Sequence, residues 1–310
     1  MMTKTEYPDN YRSGYVAIIG RPNVGKSTLL NYILGFHLSI TSKKPQTTRH
    51  RLLGIKTTKT AQSVYIDTPG LHQKHKGAIH TYMNKEAMST LNDVDVIVFV
   101  VDGIKLTEED EYVIELLKPC DQPIILAVNK VDKIKDKEIL LPFLEQLSQR
   151  LNFAHIVPVS AAKGKNVAEL EAHIESDLNL SPAYFPEEQI TDKSDRFLAS
   201  ELIREKLMRL LGQEVPYAIA VEVEAFEEEE KIIKISAVIW VERRNQKSII
   251  IGHKGQQLKE VGKQARKSME HLYDKKVFLK LWVKVKDGWS DDQKALKSLG
   301  YFDYLKTDAF

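Results

Sequence analysis

The chain has a single cysteine, Cys120, in 310 residues, so no disulfide can close within it, and such usage predicts a reducing, cytoplasmic setting. With Pro119 and Asp121 as neighbours, its thiol reads as a loop residue without a chemical role. Long hydrophobic runs are also missing: the strongest, Val96 to Val101, has six residues, against roughly 20 for a membrane-spanning helix. The opening MMTKTEYPDNYRSG lacks the apolar segment of a secretory signal. There is no internal repeat and no low-complexity tract. What is present is ordinary for a packed protein: 43% hydrophobic residues in a length that suits one large domain or two smaller ones.

The formal net charge of +2 conceals an asymmetry. Residues 231–286 carry 15 Lys and Arg against 4 Asp and Glu, a balance of +11 that leaves −9 for the rest of the chain. A basic block of this size within folded elements points to an anionic partner, most simply nucleic acid. A merely solvated face is the alternative, and a peripheral contact with the inner face of the cell membrane is compatible with the same charge.

Short apolar runs alternate with helical patterns in the first part: YVAIIG (15–20), a helix from Gly25, a hairpin from LLGIKTTK and QSVYIDT, then DVIVFVVDG (95–103), PIILAVNK (123–130) and AHIVPVSA (154–161). This order predicts an α/β domain with a mostly parallel sheet, covered on both faces by crossover helices. Ligands of such sheets sit at the carboxyl ends of the strands. Two prolines and a polar run near residues 178–194 break the pattern and read as a linker. Beyond it the apolar spacing predicts the order α-β-β-α-α-β and a short helical tail from about Asp291.

Between the first strand and its helix, Gly20-Arg21-Pro22-Asn23-Val24-Gly25-Lys26-Ser27, followed by Thr28, matches the phosphate-binding pattern GxxxxGK[ST]. Glycines let backbone N–H groups close on a β-phosphate, with the helix N-terminus behind them. Lys26 is placed to reach the β- and γ-phosphates, and the Ser27 hydroxyl to ligate Mg²⁺. Asp67-Thr68-Pro69-Gly70, at a later strand end, supplies a carboxylate for Mg²⁺ through water and a Gly70 N–H for the γ-phosphate. The intervening KKPQTTRHR must bring one hydroxyl over the metal; Thr48 is the preferred residue and Thr47 the alternative. Asn129-Lys130-Val131-Asp132 selects the base, because the Asp132 carboxylate can accept the N1–H and exocyclic amino hydrogens of guanine, whereas adenine offers an acceptor at N1. Asn129 ties this loop to the phosphate loop and the Lys130 stem covers the base. Ser160-Ala161-Ala162-Lys163 adds a second base contact, with the Ala161 N–H suited to guanine O6. The nucleotide is thus GTP or GDP.

Leu71 stands where a water-orienting glutamine would be expected, and a leucine cannot orient water. In the basic third, Gly252-His253-Lys254-Gly255 follows Ile249, Ile250 and Ile251 and precedes a basic helix. A GxxG loop in this context brings two backbones together beside a groove for about four unstacked nucleotides. Lys254, Lys259, Lys263, Arg266 and Lys267 are the candidate phosphate contacts, His253 lies in the loop, and the three isoleucines partly form the groove floor. Trp240 and Trp282 read as strand-face or core packing.

Taken in order, GRPNVGKS, PQTTR, DTPG, NKVD and SAAKG followed by IIIGHKG resemble the Era family of bacterial GTPases over essentially the whole chain. The resemblance implies a Ras-like GTPase domain over residues 12–180, a linker over 181–194, a type II KH domain over 195–290 and a tail helix over 291–310. It implies GTP hydrolysis, binding to the 3′ end of 16S ribosomal RNA, assistance to assembly of the 30S particle, and a monomer. It also accounts for Leu71, since the family carries a hydrophobic residue at that position. Several relatives of this kind use a potassium ion held partly by a phosphate-loop asparagine, here Asn23, for which a plain turn role carries equal weight. A GTP-dependent switch for a protein or membrane partner, with little hydrolysis of its own, is the competing function. A small-molecule kinase would need neither NKVD nor a KH module.

Overall fold

The computed structural model describes residues 7–42, 44, 47–71, 84, 87–103, 106–136, 138–212 and 219–289. The tail expected from residue 291 lies outside them, as do Pro45 and Gln46. The chain divides into two compact units, one comprising residues 1–39, 48–75 and 83–192, the other 40–47, 76–82 and 193–310.

The first unit is built on a six-stranded sheet in the order β2-β3-β1-β4-β5-β6. Its strands are β1 (Arg12–Ile19), β2 (Leu52–Thr57), β3 (Ala61–Asp67), β4 (Val96–Asp102), β5 (Ile124–Asn129) and β6 (His155–Pro158). Every pairing is parallel except β2 with β3, the predicted hairpin. β5 is buried at every residue and β4 at every residue but Asp102, which is why these segments read as continuous apolar runs and not as alternating ones. Among the described residues the sheet is accompanied by α1 (Lys26–Leu34), α2 (Glu108–Leu117), α3 (Leu140–Ser148) and α4 (Val167–Asp177), and residues 87–92 are helical as well. Thr107 starts α2 with a reciprocal capping box to Asp110, satisfying two of the orphan donors at a helix start. Pairing of Ile18 with Asp67 and of Asp102 with Asn129 lines the motif-bearing strand ends along one edge of the sheet.

Residues 179–192, within the segment read as a linker, run along this unit. The Ile55 N–H donates to the Ile190 carbonyl at 2.7 Å. The Gln62 side chain accepts from the Tyr184 and Phe185 N–H groups at 2.7 and 2.9 Å and donates to the Phe185 carbonyl at 2.8 Å.

In the second unit α5 (Asp195–Leu210), β7 (Ile219–Glu228), β8 (Ile232–Val241), α6 (Arg244–Ile251), α7 (Gln256–Tyr273) and β9 (Lys276–Val285) follow one another, the α-β-β-α-α-β order read from the spacing. β8 is central, antiparallel to β7 and parallel to β9. Val261, Ala265 and Met269, four apart on α7, join Ile203 and Leu207 of α5 and Ile235, Ala237 and Ile239 of β8 in one core. Full burial of each large aliphatic there contributes about 1.5–3 kcal/mol. Among the described residues no helix is long and apolar enough to cross a membrane.

Candidate nucleotide and nucleic-acid sites

The phosphate loop closes the end of β1 onto α1. Gly25 sits at φ +108°, where a Cβ would stand 2.2 Å from Asn129 Nδ2. Only glycine allows this approach, and it lets Asn129 donate to the Val24 carbonyl at 2.8 Å. The Lys26 ammonium turns back into the loop and donates to the Gly20 and Arg21 carbonyls at 2.9 and 3.0 Å. Burial lowers its pKa to about 8, against an opposing pull from Asp67. The loop thus holds a desolvated cation facing inward, which an incoming phosphate would satisfy. Arg21 is engaged elsewhere, in an ion pair with the buried Asp110 at 2.9 Å.

Three hydroxyls converge on one carboxylate oxygen. Ser27 Oγ, Thr48 Oγ1 and Ser39 Oγ donate to Asp67 Oδ2 at 2.9, 3.1 and 2.5 Å, and Ser27 and Thr48 lie 3.0 Å apart. The other oxygen, Oδ1, is buried with no hydrogen-bond partner. Burial raises the Asp67 pKa, and the Ser39 hydroxyl is the strongest influence pulling it back. An orphaned carboxylate oxygen beside two hydroxyls from the phosphate loop and the following loop is an oxygen donor set that fits a hard divalent cation such as Mg²⁺. The geometry distinguishes the two threonines: Thr48 joins the cluster, whereas the Thr47 carbonyl accepts from Arg204 Nη2 within the second unit.

Ser39 carries no mark in the sequence. It is fully buried, and the Asn31 side chain of α1 grips it by accepting from its N–H and donating to its carbonyl, both at 2.8 Å. Asn31 lies one helical turn beyond Ser27, so the element that carries one hydroxyl also positions the second.

At the far end of β5, Asn129 Oδ1 accepts from the Lys130 and Ala161 N–H groups at 2.7 and 2.9 Å. Lys130, at φ +64°, donates from Nζ to the Asn23 carbonyl and to Asp102 Oδ2, both at 2.6 Å. Asp132 is exposed and accepts from the Ser160 hydroxyl at 2.6 Å, the bond chiefly responsible for holding its carboxyl below the usual range. The base loops are therefore laced to the phosphate loop with Asp132 open at their rim. In this arrangement the Ala161 N–H, expected at guanine O6, donates to Asn129 instead, and the exposed turn beginning at Ala162 is the part of the loop open to that contact.

After Asp67 the chain turns inward. Thr68 donates to the Ile18 carbonyl at 3.0 Å, Pro69 is buried, and Gly70 lies so close to the phosphate loop that a Cβ would meet Pro22 Cγ at 2.7 Å. Leu71 is fully buried in the core cluster with Ile66, Ile97 and Phe99. Its side chain packs the domain and does not stand in the open. Asn23 and Thr28 remain exposed and half-buried respectively.

In the second unit the GxxG loop joins α6 to α7. Gly252 adopts φ +70°, ψ −179°, a region reserved for glycine, and a Cβ there would meet Gln257 Cβ at 2.6 Å. His253 and Lys254 are exposed, as are Lys259, Lys263 and Lys267, which recur at four-residue spacing along one face of α7. Arg266 differs, being half-buried and paired with Glu270 at 3.0 Å. The isoleucines split: Ile250 is fully buried, Ile249 is exposed and Ile251 is intermediate, so Ile250 supports the loop from the core.

The comparisons with known proteins agree with both halves. Residues 15–130 match the family model described as a 50S ribosome-binding GTPase and residues 214–290 match that of a KH domain. The chain is 57% identical over 298 residues to the GTPase Era of Pseudomonas aeruginosa strain PAO1, covering 96% of this chain and 98% of that one. It is 53% identical over 305 residues to the GTPase Era of Pasteurella multocida strain Pm70, covering 97% and 100%. Among solved structures it resembles a point variant of Aquifex aeolicus Era bound to GDP·AlF4⁻, with a TM-score of 0.90, 40% identity and coverage of 94% and 99%. It also resembles Era in complex with MgGDPNP and nucleotides 1506–1542 of 16S ribosomal RNA, with a TM-score of 0.89 and the same identity and coverage. With this identity running from one end of the chain to the other, through a phosphate loop and a GxxG loop each folded as its chemistry requires, the chain belongs to the Era family of GTPases.

Proposed function

We propose that this chain couples GTP hydrolysis to binding of the single-stranded 3′ end of 16S ribosomal RNA and thereby assists maturation of the 30S subunit. The observation that carries the reading is the pairing, in one chain, of a guanine-reading phosphate site with an exposed GxxG loop backed by the Lys259, Lys263 and Lys267 face. The Era relative solved with a 16S fragment supports the choice of RNA.

Ser27, Thr48 and Asp67 would hold Mg²⁺, which would supply charge neutralisation at the β- and γ-phosphates when bound. The residues of the chain do the rest. Lys26 gives up its carbonyl contacts to the phosphates, the Gly70 N–H marks the presence of a γ-phosphate, and Asp132 reads the base while Ser160 holds it in place. Because Leu71 is committed to the core, its side chain takes no part in positioning the attacking water. Asn23, exposed at the rim of the phosphate loop, is the side chain suited to a K⁺ ion. Its carbonyl already serves Lys130, so only the side chain enters this proposal. The protein acts in the cytoplasm.

The test measures hydrolysis by the purified protein in K⁺ and Na⁺ salts, with and without an RNA ending in the 16S 3′ sequence. Faster turnover with that RNA than with a scrambled one is the expected result. Tight GTP binding with no turnover under any of these conditions would replace the hydrolytic reading by a pure binding switch. Equal rates in the two salts would remove Asn23 from cation binding.

A further inference from the structure

Strand β9, KVFLKLWVKV, is the edge strand of the second sheet, and its two faces differ in kind. Val277, Leu279, Leu281, Val283 and Val285 pack into or against the core with α7. The opposite face presents Lys276, Phe278, Lys280, Trp282 and Lys284, all exposed, an unbroken alternation of cation and aromatic ring. Phe278 is 48% and Trp282 45% exposed, large values for side chains of this area.

The neighbouring strand extends the pattern. β8 sets Lys234 beside Phe278, Val238 beside Trp282 and Trp240 beside Lys284. Lys280 Nζ lies 5.4 Å from the Phe278 ring centre, and the Nζ atoms of Lys284 and Lys286 lie 5.5 and 5.9 Å from that of Trp240. Phe278 and Trp240 are thus flanked by ammonium groups at cation–π distance, and Trp240 is fixed by its Nε1–H bond to Glu222 at 2.8 Å. Nothing among these contacts belongs to the GxxG loop, which is carried by helices on the other face of the sheet.

We infer that this outer face of β8 and β9 is a second binding surface for single-stranded nucleic acid, separate from the GxxG groove. A partner for alternating rings and cations must offer flat apolar faces and negative charge along one line, which a single strand with unstacked bases does. A duplex keeps its bases inside and cannot meet the rings. A lipid surface would take the rings and lysines but would have to desolvate Glu222 and Glu224, the latter held by Lys284 at 3.0 Å on the same side, a cost that a wet nucleic-acid interface avoids. Phe278 and Trp282 act as stacking platforms and Lys280, between them, as a phosphate contact. This assignment is independent of what the GxxG loop binds.

The experiment uses the full chain carrying Gly252→Asp, so that the GxxG groove is disabled, and a ten-nucleotide oligo-U RNA as probe in an anisotropy titration. This protein should retain salt-dependent binding to the oligomer, and adding Phe278→Ala with Trp282→Ala should weaken it at least about tenfold, as loss of stacking of one or two bases requires. Lys280→Glu, which keeps both rings, should also weaken binding and flatten its salt dependence. Quenching of tryptophan fluorescence by the oligomer should shrink when Trp282 alone is replaced. The inference is overturned if Gly252→Asp by itself abolishes oligo-U binding, if the double alanine change leaves affinity unaltered, or if a duplex of equal length binds as well as the single strand. Loss of binding to phosphatidylserine vesicles without loss of RNA binding would overturn it in favour of a membrane surface.

Discussion

Removing the charge of Lys26 should stabilise the nucleotide-free protein in a pH-dependent way. Lys26 is 6% exposed and its pKa is lowered from 10.5 to about 8 by burial. Between those values the unfolded chain binds a proton that the folded one has shed, so stability rises with pH across the interval and the penalty is fully present below about 8. A lysine lowered this far withholds roughly 3 kcal/mol at neutral pH. Lys26→Met keeps all but the terminal atom of the side-chain length and abolishes this dependence. Relative to the variant, the wild type should therefore gain about 2 kcal/mol between about pH 7.5 and 9.5. Staying below about pH 10 avoids the buried Tyr65 and the half-buried Tyr273, whose phenols burial pushes up and which both proteins share. The assay is urea unfolding in the absence of nucleotide and Mg²⁺, followed by hydrogen exchange in peptides spanning β1 and β4, so that melting of the second unit does not enter. Saturating GDP should flatten the wild-type profile, because phosphates favour the protonated lysine. Parallel profiles for the two proteins without nucleotide would refute the idea that the phosphate loop stores a desolvated cation.

Asp132→Asn should weaken GTP by roughly a hundredfold, the loss of two hydrogen bonds to a charged acceptor, and create affinity for XTP; nucleotide titrations in which the variant still prefers GTP would remove Asp132 from base reading. Ser39→Ala should lower Mg²⁺ affinity in the GDP complex by about tenfold or more, as loss of an outer-shell partner does, with metal-free GDP binding unchanged; calorimetric titration of Mg²⁺ that leaves affinity intact would make Ser39 a purely structural residue. Leu71→Ala should cost about 2–5 kcal/mol of stability from a core cavity, which a thermal melt of the GDP-bound protein would register, and a melting temperature equal to the wild type would place Leu71 outside the core.

Most of the nucleotide site is legible in the sequence because its parts are tied to positions that sequence patterns mark. A phosphate loop must lie between a strand and a helix, and Asp67 and Asn129 must close buried strands, so the apolar runs locate them. What stays hidden depends on which of several equivalent groups points inward. Thr48 is preferred to Thr47 in the sequence, but what separates two neighbouring threonines of a polar loop is the hydroxyl that stands 3.1 Å from Asp67. Leu71 reads as a missing glutamine until the turn after Asp67 carries it into the core with Ile66 and Phe99. The Ala161 N–H reads as a base contact because its loop is in the right place, yet Asn129 offers it an acceptor at 2.9 Å within the protein.

The same distinction separates Ser39 from the surface on β9. Ser39 reaches Asp67 across 28 residues and is set by Asn31, 8 residues earlier; no periodicity links three polar residues in a helix, a loop and a strand, so nothing in the sequence could have joined them. The alternation of lysine and aromatic residues in KVFLKLWVKVK is, by contrast, visible at once. Its meaning depends on the side of the sheet that α7 covers. Had the helices packed on Phe278 and Trp282, these rings would be core and the lysines would have been forced to find buried partners. Because α7 takes the valines and leucines instead, the strand that closes the KH domain leaves its aromatic side in water, where a ring flanked by cations contributes to recognition more than to folding.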